Sequence, residues 1–187
     1  MSIEKVIQTI KDKDNFLITT HINPECDALG SELAFSGLLK RLGKSCFIVN
    51  EETPPREYKF LPGINSIKTI KHLNQIKDFN IAVVLDCSDL NRTGKVSKLI
   101  TQDKFIINID HHISNTRFGD VNWVQTKSSC VCEMVYRLYK RLKVPFDRNA
   151  ALICMWVYLP IRVLFIIPIR LLLPIRSLEN YCEKKFW

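Results

Sequence analysis

The sequence lacks three features, and each absence argues against a class of protein. No signal peptide precedes Met1-Ser-Ile-Glu-Lys, and the seven cysteines are odd in number and irregularly spaced, so we expect a reducing cytosol and no disulfide framework. The apolar run over residues 150–175 is broken by Arg162 and Arg170, each costing about 2.5–3.5 kcal/mol in a membrane. No second metal-type pair accompanies Cys130-Val-Cys132, which favours structural thiols over thiolate ligands.

Length and composition indicate one packed domain. The 187 residues leave room for a domain of roughly 150 residues and a short remainder. The hydrophobic content of 47% and the charged content of 25% are ordinary for globular proteins. The formal net charge of +8 suits a polyanionic partner such as a nucleotide or RNA, and it suits a generic basic surface equally well.

The apolar periodicity predicts alternating helices and strands. The predicted helices span residues 3–11, 28–42, 130–142 and 147–158, and the predicted strands span 16–20, 45–49, 67–70, 81–85, 105–109 and 121–124. Strands that alternate with helices imply a doubly wound, mostly parallel α/β sheet with helices on both faces. The strand at 121–124 is expected at an edge, and Asp147 is the expected N-cap of the last helix.

Residues 159–187 break this pattern. Prolines at positions 160, 168 and 174, each followed two residues later by an arginine, disfavour both a helix and a central strand. We therefore expect a domain over residues 1–158, followed by a disordered or irregular tail over 159–187.

Three of the predicted strands lead into side chains that bind metals. They are His21, Glu25 and Asp27 after the first strand, Asp86 after the strand at 81–85, and Asp110, His111 and His112 after the strand at 105–109. Because parallel strands end at one edge of a sheet, we expect these groups to meet. Asp86 directly follows an apolar strand, so we expect its carboxylate to be partly desolvated and to need a cation. Its two oxygens could bridge two metals about 3.5–4 Å apart. Mixed carboxylate and imidazole ligation favours two Mn²⁺ ions, with Mg²⁺ as the alternative.

Neighbouring side chains suggest how a substrate would be handled. Ser31 lies near the start of the second predicted helix, whose free N–H groups suit a phosphate. Arg92 either pairs with a carboxylate and orients its loop or is an ordinary surface charge. One imidazole of the adjacent pair can bind a metal while the other contacts the substrate or the attacking water, and Asp110 can fix a ring's tautomer.

These segments resemble the motifs of a known family. They are His21-Ile-Asn-Pro-Glu-Cys-Asp27-Ala-Leu-Gly30-Ser31, Val84-Leu-Asp86 and Asp110-His-His112, which look like motifs I, II and III of the DHH phosphoesterases. The most similar branch hydrolyses oligoribonucleotides and 3′-phosphoadenosine 5′-phosphate, and RecJ nucleases are relatives. Over residues 16–158 the resemblance implies metal ligands at His21, Glu25, Asp27, Asp86 and His111, and an assisting role for His112. The commonest form of the first motif has Asp-Gly where this chain has Glu25-Cys26.

A larger departure from the family follows residue 158. The family's fourth motif, Thr-Asp-Thr-Gly, completes the metal site with its aspartate, and it is missing here together with the carboxyl-terminal substrate domain. Codons for residues 159–169 can be chosen so that a shifted frame spells Thr-Asp-Thr-Gly-Ser-Phe-His-Tyr-Ser-Asn. We therefore hypothesise a frameshift near Tyr158. Sequencing the gene tests this, because codons at 159–163 that cannot encode Thr-Asp-Thr-Gly in the other frame refute it.

The sequence thus predicts a cytoplasmic, metal-dependent phosphoesterase. Its expected substrates are short oligoribonucleotides or nucleotide phosphates, and its expected activity is severely weakened by the missing ligand and domain. Two alternatives stay open: a module that binds metal and nucleotide without turnover, and a protein tethered to a membrane by its tail. We expect no stable membrane association, and a homodimer is compatible with the sequence.

Overall fold

Six apolar strands form one sheet, and helices alternate with these strands along the chain. The structure is a computed structural model and describes residues 3–71 and 78–164. Its strands are β1 (Phe16–Thr19), β2 (Cys46–Asn50), β3 (Ile67–Thr69), β4 (Ile81–Leu85), β5 (Phe105–Asp110) and β6 (Val121–Val124), and its helices are α1 (Ile3–Asp12), α2 (Cys26–Arg41), α3 (Val131–Leu142) and α4 (Arg148–Leu164). The order is β3-β2-β1-β4-β5-β6, and all neighbouring strands are parallel. The predicted α/β sheet is confirmed, with β6 at an edge.

Side chains of the central strands alternate between two apolar layers. In β4, Val83 faces the layer that contains all four α-helices, whereas Ala82 and Val84 face the opposite layer. The whole strand is buried, which explains why its sequence is continuously apolar. In the described residues the opposite layer is covered by 3₁₀ turns over Leu90–Leu99, with Val96 buried against the sheet.

Helix α2 lies at the centre of the first layer and packs against both α3 and α4. Gly30 lets α4 approach closely, because a Cβ at this position would lie only 2.5 Å from Val157 Cγ2. This packing fixes the amino end of α2, where the first-motif residue Asp27 is located.

Helix α4 begins where its capping residue predicts but ends later than expected. Asp147 Oδ1 accepts the N–H of Ala150 at 2.9 Å, so the predicted N-cap is confirmed. The expectation of an irregular chain from residue 159 is wrong for residues 159–164, which continue the helix to Leu164. Pro160 has no N–H to offer the carbonyl of Trp156, and the Cys26 thiol lies 3.6 Å from that oxygen. The proline removes one hydrogen bond without ending the helix.

Most of the predicted tail, residues 165–187, lies outside the described residues. The domain boundary at residue 158 therefore stays a prediction. None of the described helices combines the length and the apolar character needed to cross a bilayer.

The strand order opens a crevice between β1 and β4. From β1 the chain proceeds outward through β2 to β3, whereas from β4 it proceeds in the opposite direction through β5 to β6. At such a switch point the connections diverge from the carboxyl ends of the strands, and open α/β sheets bind ligands there. The segments after β1, β4 and β5 carry the predicted metal ligands to this edge.

Candidate metal centre

Side chains from three strand ends meet at the carboxyl edge of the sheet around Asp86. His111 Nε2 lies 3.5 Å from Asp86 Oδ1 and 3.9 Å from Asp27 Oδ2. His21 Nε2 lies 3.8 Å from Asp86 Oδ2, and His112 Nδ1 lies 3.7 Å from Asp86 Oδ1. The structure thus brings these five predicted residues together.

Asp86 is the centre of this cluster and carries an unsatisfied charge. It follows β4 in a left-handed backbone conformation, with φ +52°, that non-glycine residues adopt infrequently. Its N–H donates to the Ile109 carbonyl at 3.0 Å, which ties it to β5. The side chain is almost completely buried, and its Oδ1 has no hydrogen-bond partner in the described structure. A buried carboxylate oxygen without a partner is costly, and a cation would compensate for it.

Asp27 connects the cluster to the start of α3. Its Oδ2 accepts the N–H of Val131 at 2.8 Å, and its Oδ1 accepts the N–H of Cys132 at 3.0 Å, so it satisfies two of the free donors at that helix end. Burial, followed by the charge of Asp86, raises the pKa of Asp27 to about 7, although the two backbone donors act in the opposite direction. A cation beside it would favour the ionised form.

The hydrogen bonds of His21 and His111 turn the same ring atom toward Asp86. In His111, Nδ1 lies 3.0 Å from the Ser128 carbonyl, and in His21, Nδ1 lies 2.7 Å from the Ile22 carbonyl. Because a carbonyl only accepts, Nδ1 carries a proton in both rings, and Nε2 is the ring atom that faces the carboxylate. Metal-binding histidines are oriented in this way. Asp86 also raises the pKa of His21, against the effect of burial, so a proton and a metal would compete for Nε2.

His112 is held by a fully buried carboxylate. Asp110 Oδ1 lies 2.7 Å from His112 Nδ1, and Asp110 Oδ2 accepts a hydrogen bond from Asn115 Nδ2 at 2.6 Å. Burial raises the pKa of Asp110, but the bonds from His112 and Asn115 outweigh it and hold that pKa below its ordinary value. The bond to Asp110 in turn raises the pKa of His112. Asp110 therefore holds the His112 ring in one orientation.

The donor atoms at this edge fit a divalent cation. Ligand atoms of Asp86, His111 and His112 all lie within 4.8 Å of one another. Carboxylate and imidazole donors suit Mn²⁺ or Mg²⁺. Burial raises the pKa of nearby Cys26 to about 11, so this side chain is a neutral thiol near pH 7.

Three predicted site residues lie outside the cluster. Glu25 is exposed at the N-cap of α2 without a capping bond from its side chain, and its role as a ligand stays a prediction. Ser31 is fully buried and donates to Asp27 Oδ1 at 3.2 Å, which orients that carboxylate. Its contact with a substrate stays a prediction. Arg92 is exposed and donates to Ser88 Oγ at 3.2 Å, not to a carboxylate. Its role in substrate binding stays a prediction.

Sequence reasoning missed the amides that support the cluster. Asn115 Nδ2 lies 2.8 Å from Asn108 Oδ1, and Asn108 Nδ2 donates to the carbonyls of Val84 and Cys87 at 3.3 and 3.1 Å. These bonds fix the ends of β4 and β5 relative to each other. Asn108 could have been found, because it is the polar residue inside an otherwise apolar strand. Asn115 lies in a loop and has no such signal.

The fold and the site define a class: a parallel α/β domain that gathers carboxylates and imidazoles at the switch point of its sheet. Within this class the chain belongs to the DHH family. The model of the DHH family, N-terminal domain, matches residues 15–156.

The chain is similar to bacterial proteins whose names describe hydrolases. It is 32% identical over 134 residues to the bifunctional oligoribonuclease and PAP phosphatase NrnA of Thermus thermophilus, covering 72% of this chain and 39% of that protein. It is 27% identical over 135 residues to the protein of the same name in Bacillus subtilis, covering 72% of this chain and 41% of that protein. A probable manganese-dependent inorganic pyrophosphatase of Enterococcus faecalis is 25% identical over 137 residues, covering 72% of this chain and 44% of that protein. The chain thus spans about two fifths of the length of these relatives.

A solved structure shows the same fold. The exopolyphosphatase-related protein from Bacteroides fragilis superposes with a TM-score of 0.72 at 23% sequence identity. The match covers 80% of this chain and 46% of that chain.

Proposed function

We propose that this chain is a metal-dependent phosphoesterase that cleaves short oligoribonucleotides or nucleotide phosphates such as 3′-phosphoadenosine 5′-phosphate. The observation that carries the proposal is the buried Asp86 carboxylate, whose unpaired Oδ1 lies among the histidines. Membership of the DHH family supports a hydrolase. The printed activities of the Thermus and Bacillus relatives support nucleotide substrates.

Asp86 and His111, with His21 and Asp27, would hold two Mn²⁺ ions, with Mg²⁺ as the alternative. When bound, a divalent cation stabilises negative charge on phosphoryl oxygens and lowers the pKa of water. The protein orients the two ligand histidines, because the Ser128 carbonyl holds the His111 ring and the Ile22 carbonyl holds the His21 ring.

His112 is suited to touch the substrate. Its side chain is 36% exposed, whereas that of its partner Asp110 is fully buried, so the imidazole faces the crevice and the carboxylate supports it from behind. With Nδ1 bonded to Asp110, the exchangeable proton of the charged ring is on Nε2. From there His112 can donate to a leaving oxygen or hydrogen-bond a phosphoryl oxygen. Arg92 at the rim would bind a further phosphate.

Cleavage and binding assays on the purified chain test this proposal. We expect Mn²⁺-dependent release of mononucleotides from a short oligoribonucleotide, and no release by the D86N variant. Tight Mn²⁺ and nucleotide binding without any cleavage would contradict the proposal and favour a binding module. The predicted weakening of activity is measured by comparing the rate with that of the Thermus relative.

A further inference from the structure

Two exposed aromatic side chains touch each other on the surface. Phe60 is 51% exposed and Trp156 is 40% exposed. Their ring centroids lie 4.6 Å apart, with the ring planes inclined at 54°. Among the side chains that the structure describes, no other aromatic is exposed. Large rings normally bury most of their area, so an exposed pair in contact indicates a binding surface.

The backbone of Trp156 contacts the segment that leads into the candidate metal centre. The Trp156 carbonyl is 3.6 Å from Cys26 Sγ. Cys26 is the first residue of α2 and directly precedes Asp27, whose Oδ2 lies 3.9 Å from His111 Nε2. The backbone of Trp156 is thus linked to the cluster through Cys26 and its chain neighbour Asp27.

Two cations precede Phe60 in the chain. Arg56 and Lys59 are both exposed, and neither forms a salt bridge with a carboxylate in the described residues. Cations interleaved with aromatic rings are how proteins bind single-stranded nucleic acid, because the rings stack on bases while the cations meet phosphates. Glu57 lies between the two cations and offsets part of their positive charge. We therefore expect the rings to supply most of the affinity for nucleic acid. We call Arg56, Lys59, Phe60 and Trp156 the aromatic–basic patch.

We propose that the aromatic–basic patch is a base-binding subsite of the candidate active site. A base of a short oligoribonucleotide stacks on Phe60 and Trp156 while a neighbouring phosphodiester lies at the Asp86 cluster. This assignment rests on the proposed function. Stacking accepts any base, because every base has a π-face. Inorganic polyphosphate has no base and gains nothing from the rings, so the patch favours oligonucleotides over base-free phosphates.

Tryptophan fluorescence reads this contact directly. Trp123 is buried, and replacing Trp187 by Phe leaves Trp156 as the exposed fluorophore. The protein is titrated with a trinucleotide of RNA and, separately, with inorganic polyphosphate of similar charge. The D86N variant is titrated in parallel, so that the readout does not depend on turnover. We expect the trinucleotide to quench the fluorescence and polyphosphate to leave it unchanged.

Three variants separate stacking from charge. F60L should weaken trinucleotide binding about tenfold and leave polyphosphate binding, measured by calorimetry, unchanged. F60Y keeps a ring and should bind the trinucleotide as the unchanged protein does. K59A should weaken both ligands by a similar factor. Phe60 is half exposed, so these changes leave the core intact.

The outcomes distinguish this inference from the proposed function. Equal trinucleotide binding by F60L and F60Y, or equal quenching by polyphosphate, overturns the base-binding subsite even if cleavage proceeds. Ring-dependent quenching in a chain that cleaves no phosphoester supports the subsite and overturns only the proposed function.

Discussion

Both ends of the sheet carry clusters of charged groups, but they differ in how those groups are satisfied. At the amino end a cavity of about 500 Å³ is lined by lysines and aspartates. There, Asp14 and Asp120 accept backbone N–H groups, and Lys104 pairs with Asp103 and Asp78. These interactions satisfy the charges without a ligand.

At the carboxyl end of the sheet, the charged groups are not all satisfied by protein partners. Asp86 Oδ1 is buried and has no hydrogen-bond partner among the described residues, and the Nε2 atoms of His21 and His111 face this carboxylate. A cation would satisfy all of these groups together. The comparison teaches that an unpaired buried oxygen surrounded by ligand atoms indicates a metal site, whereas a cluster of charges that are already paired does not.

The largest expected effect comes from removing the charge of Asp86. D86N keeps the shape of the side chain but removes the carboxylate, so Mn²⁺ affinity should fall more than about a hundredfold, since even outer-shell losses cost 10–100-fold. Calorimetric titration with Mn²⁺ measures this. D103N at the amino end is the matched control and should bind Mn²⁺ as the unchanged chain does. Equal losses in both variants would contradict the difference between the two ends.

Glu32 sharpens the comparison, because it is a second buried carboxylate with an unpaired oxygen. Its Oε2 accepts from Asn50 Nδ2 at 2.9 Å, its Oε1 has no partner in the described structure, and burial raises its pKa to about 8. No histidine faces it among its described hydrogen-bond and charge partners, so here a proton takes the place that we propose for a cation at Asp86.

The raised pKa of Glu32 predicts how stability depends on pH. The group ionises near pH 4.5 in the unfolded chain and near 8 in the fold, so folding is penalised increasingly as the pH rises between these values, by at most about 1.4 kcal/mol per pH unit. E32Q should match the unchanged chain near pH 4 and be more stable by a few kcal/mol at pH 8. Denaturant unfolding at both pH values measures this. A difference that does not vary with pH would refute it.

A smaller effect is expected at Asn115, which supports the site without belonging to it. N115A leaves Asp110 Oδ2 without the donor that lies 2.6 Å away, so His112 loses its fixed orientation. The cleavage rate should fall about 10–100-fold. N91A, an exposed amide in the same half of the domain, is the control. Wild-type values for both variants would show that the amide network does not position the cluster.

The smallest effect is expected at the amino end. Lys104 forms ion pairs with Asp78 and Asp103 on the surface, and surface pairs contribute little to stability. K104A should leave Mn²⁺ binding unchanged and shift the melting temperature only slightly. A loss of Mn²⁺ affinity would mean that the amino end also contributes to metal binding.

The sequence predicted the features that depend on local pattern. The buried strand Ile81–Leu85 and the edge strand Val121–Val124 have the predicted bounds, because their apolar runs are local signals. The meeting of Asp86 with His111 follows from parallel strand ends.

The sequence did not predict features that depend on distant contacts. Asn115 reaches Asp110 only through closure of a loop, and Glu32 lies on a helix position whose burial is decided by its packing against Asn50 on β2. The continuation of α4 beyond Pro160 also went against local propensity, since a single missing hydrogen bond is tolerated by a helix packed against α2.

Diffraction from crystals soaked in Mn²⁺, recorded at the manganese absorption edge, tests the central claim most directly. The account predicts an anomalous peak in the crevice between β1 and β4, within ligand distance of Asp86 and His111. A peak confined to the amino end of the sheet, or no peak at the Asp86 cluster at saturating Mn²⁺, would contradict it.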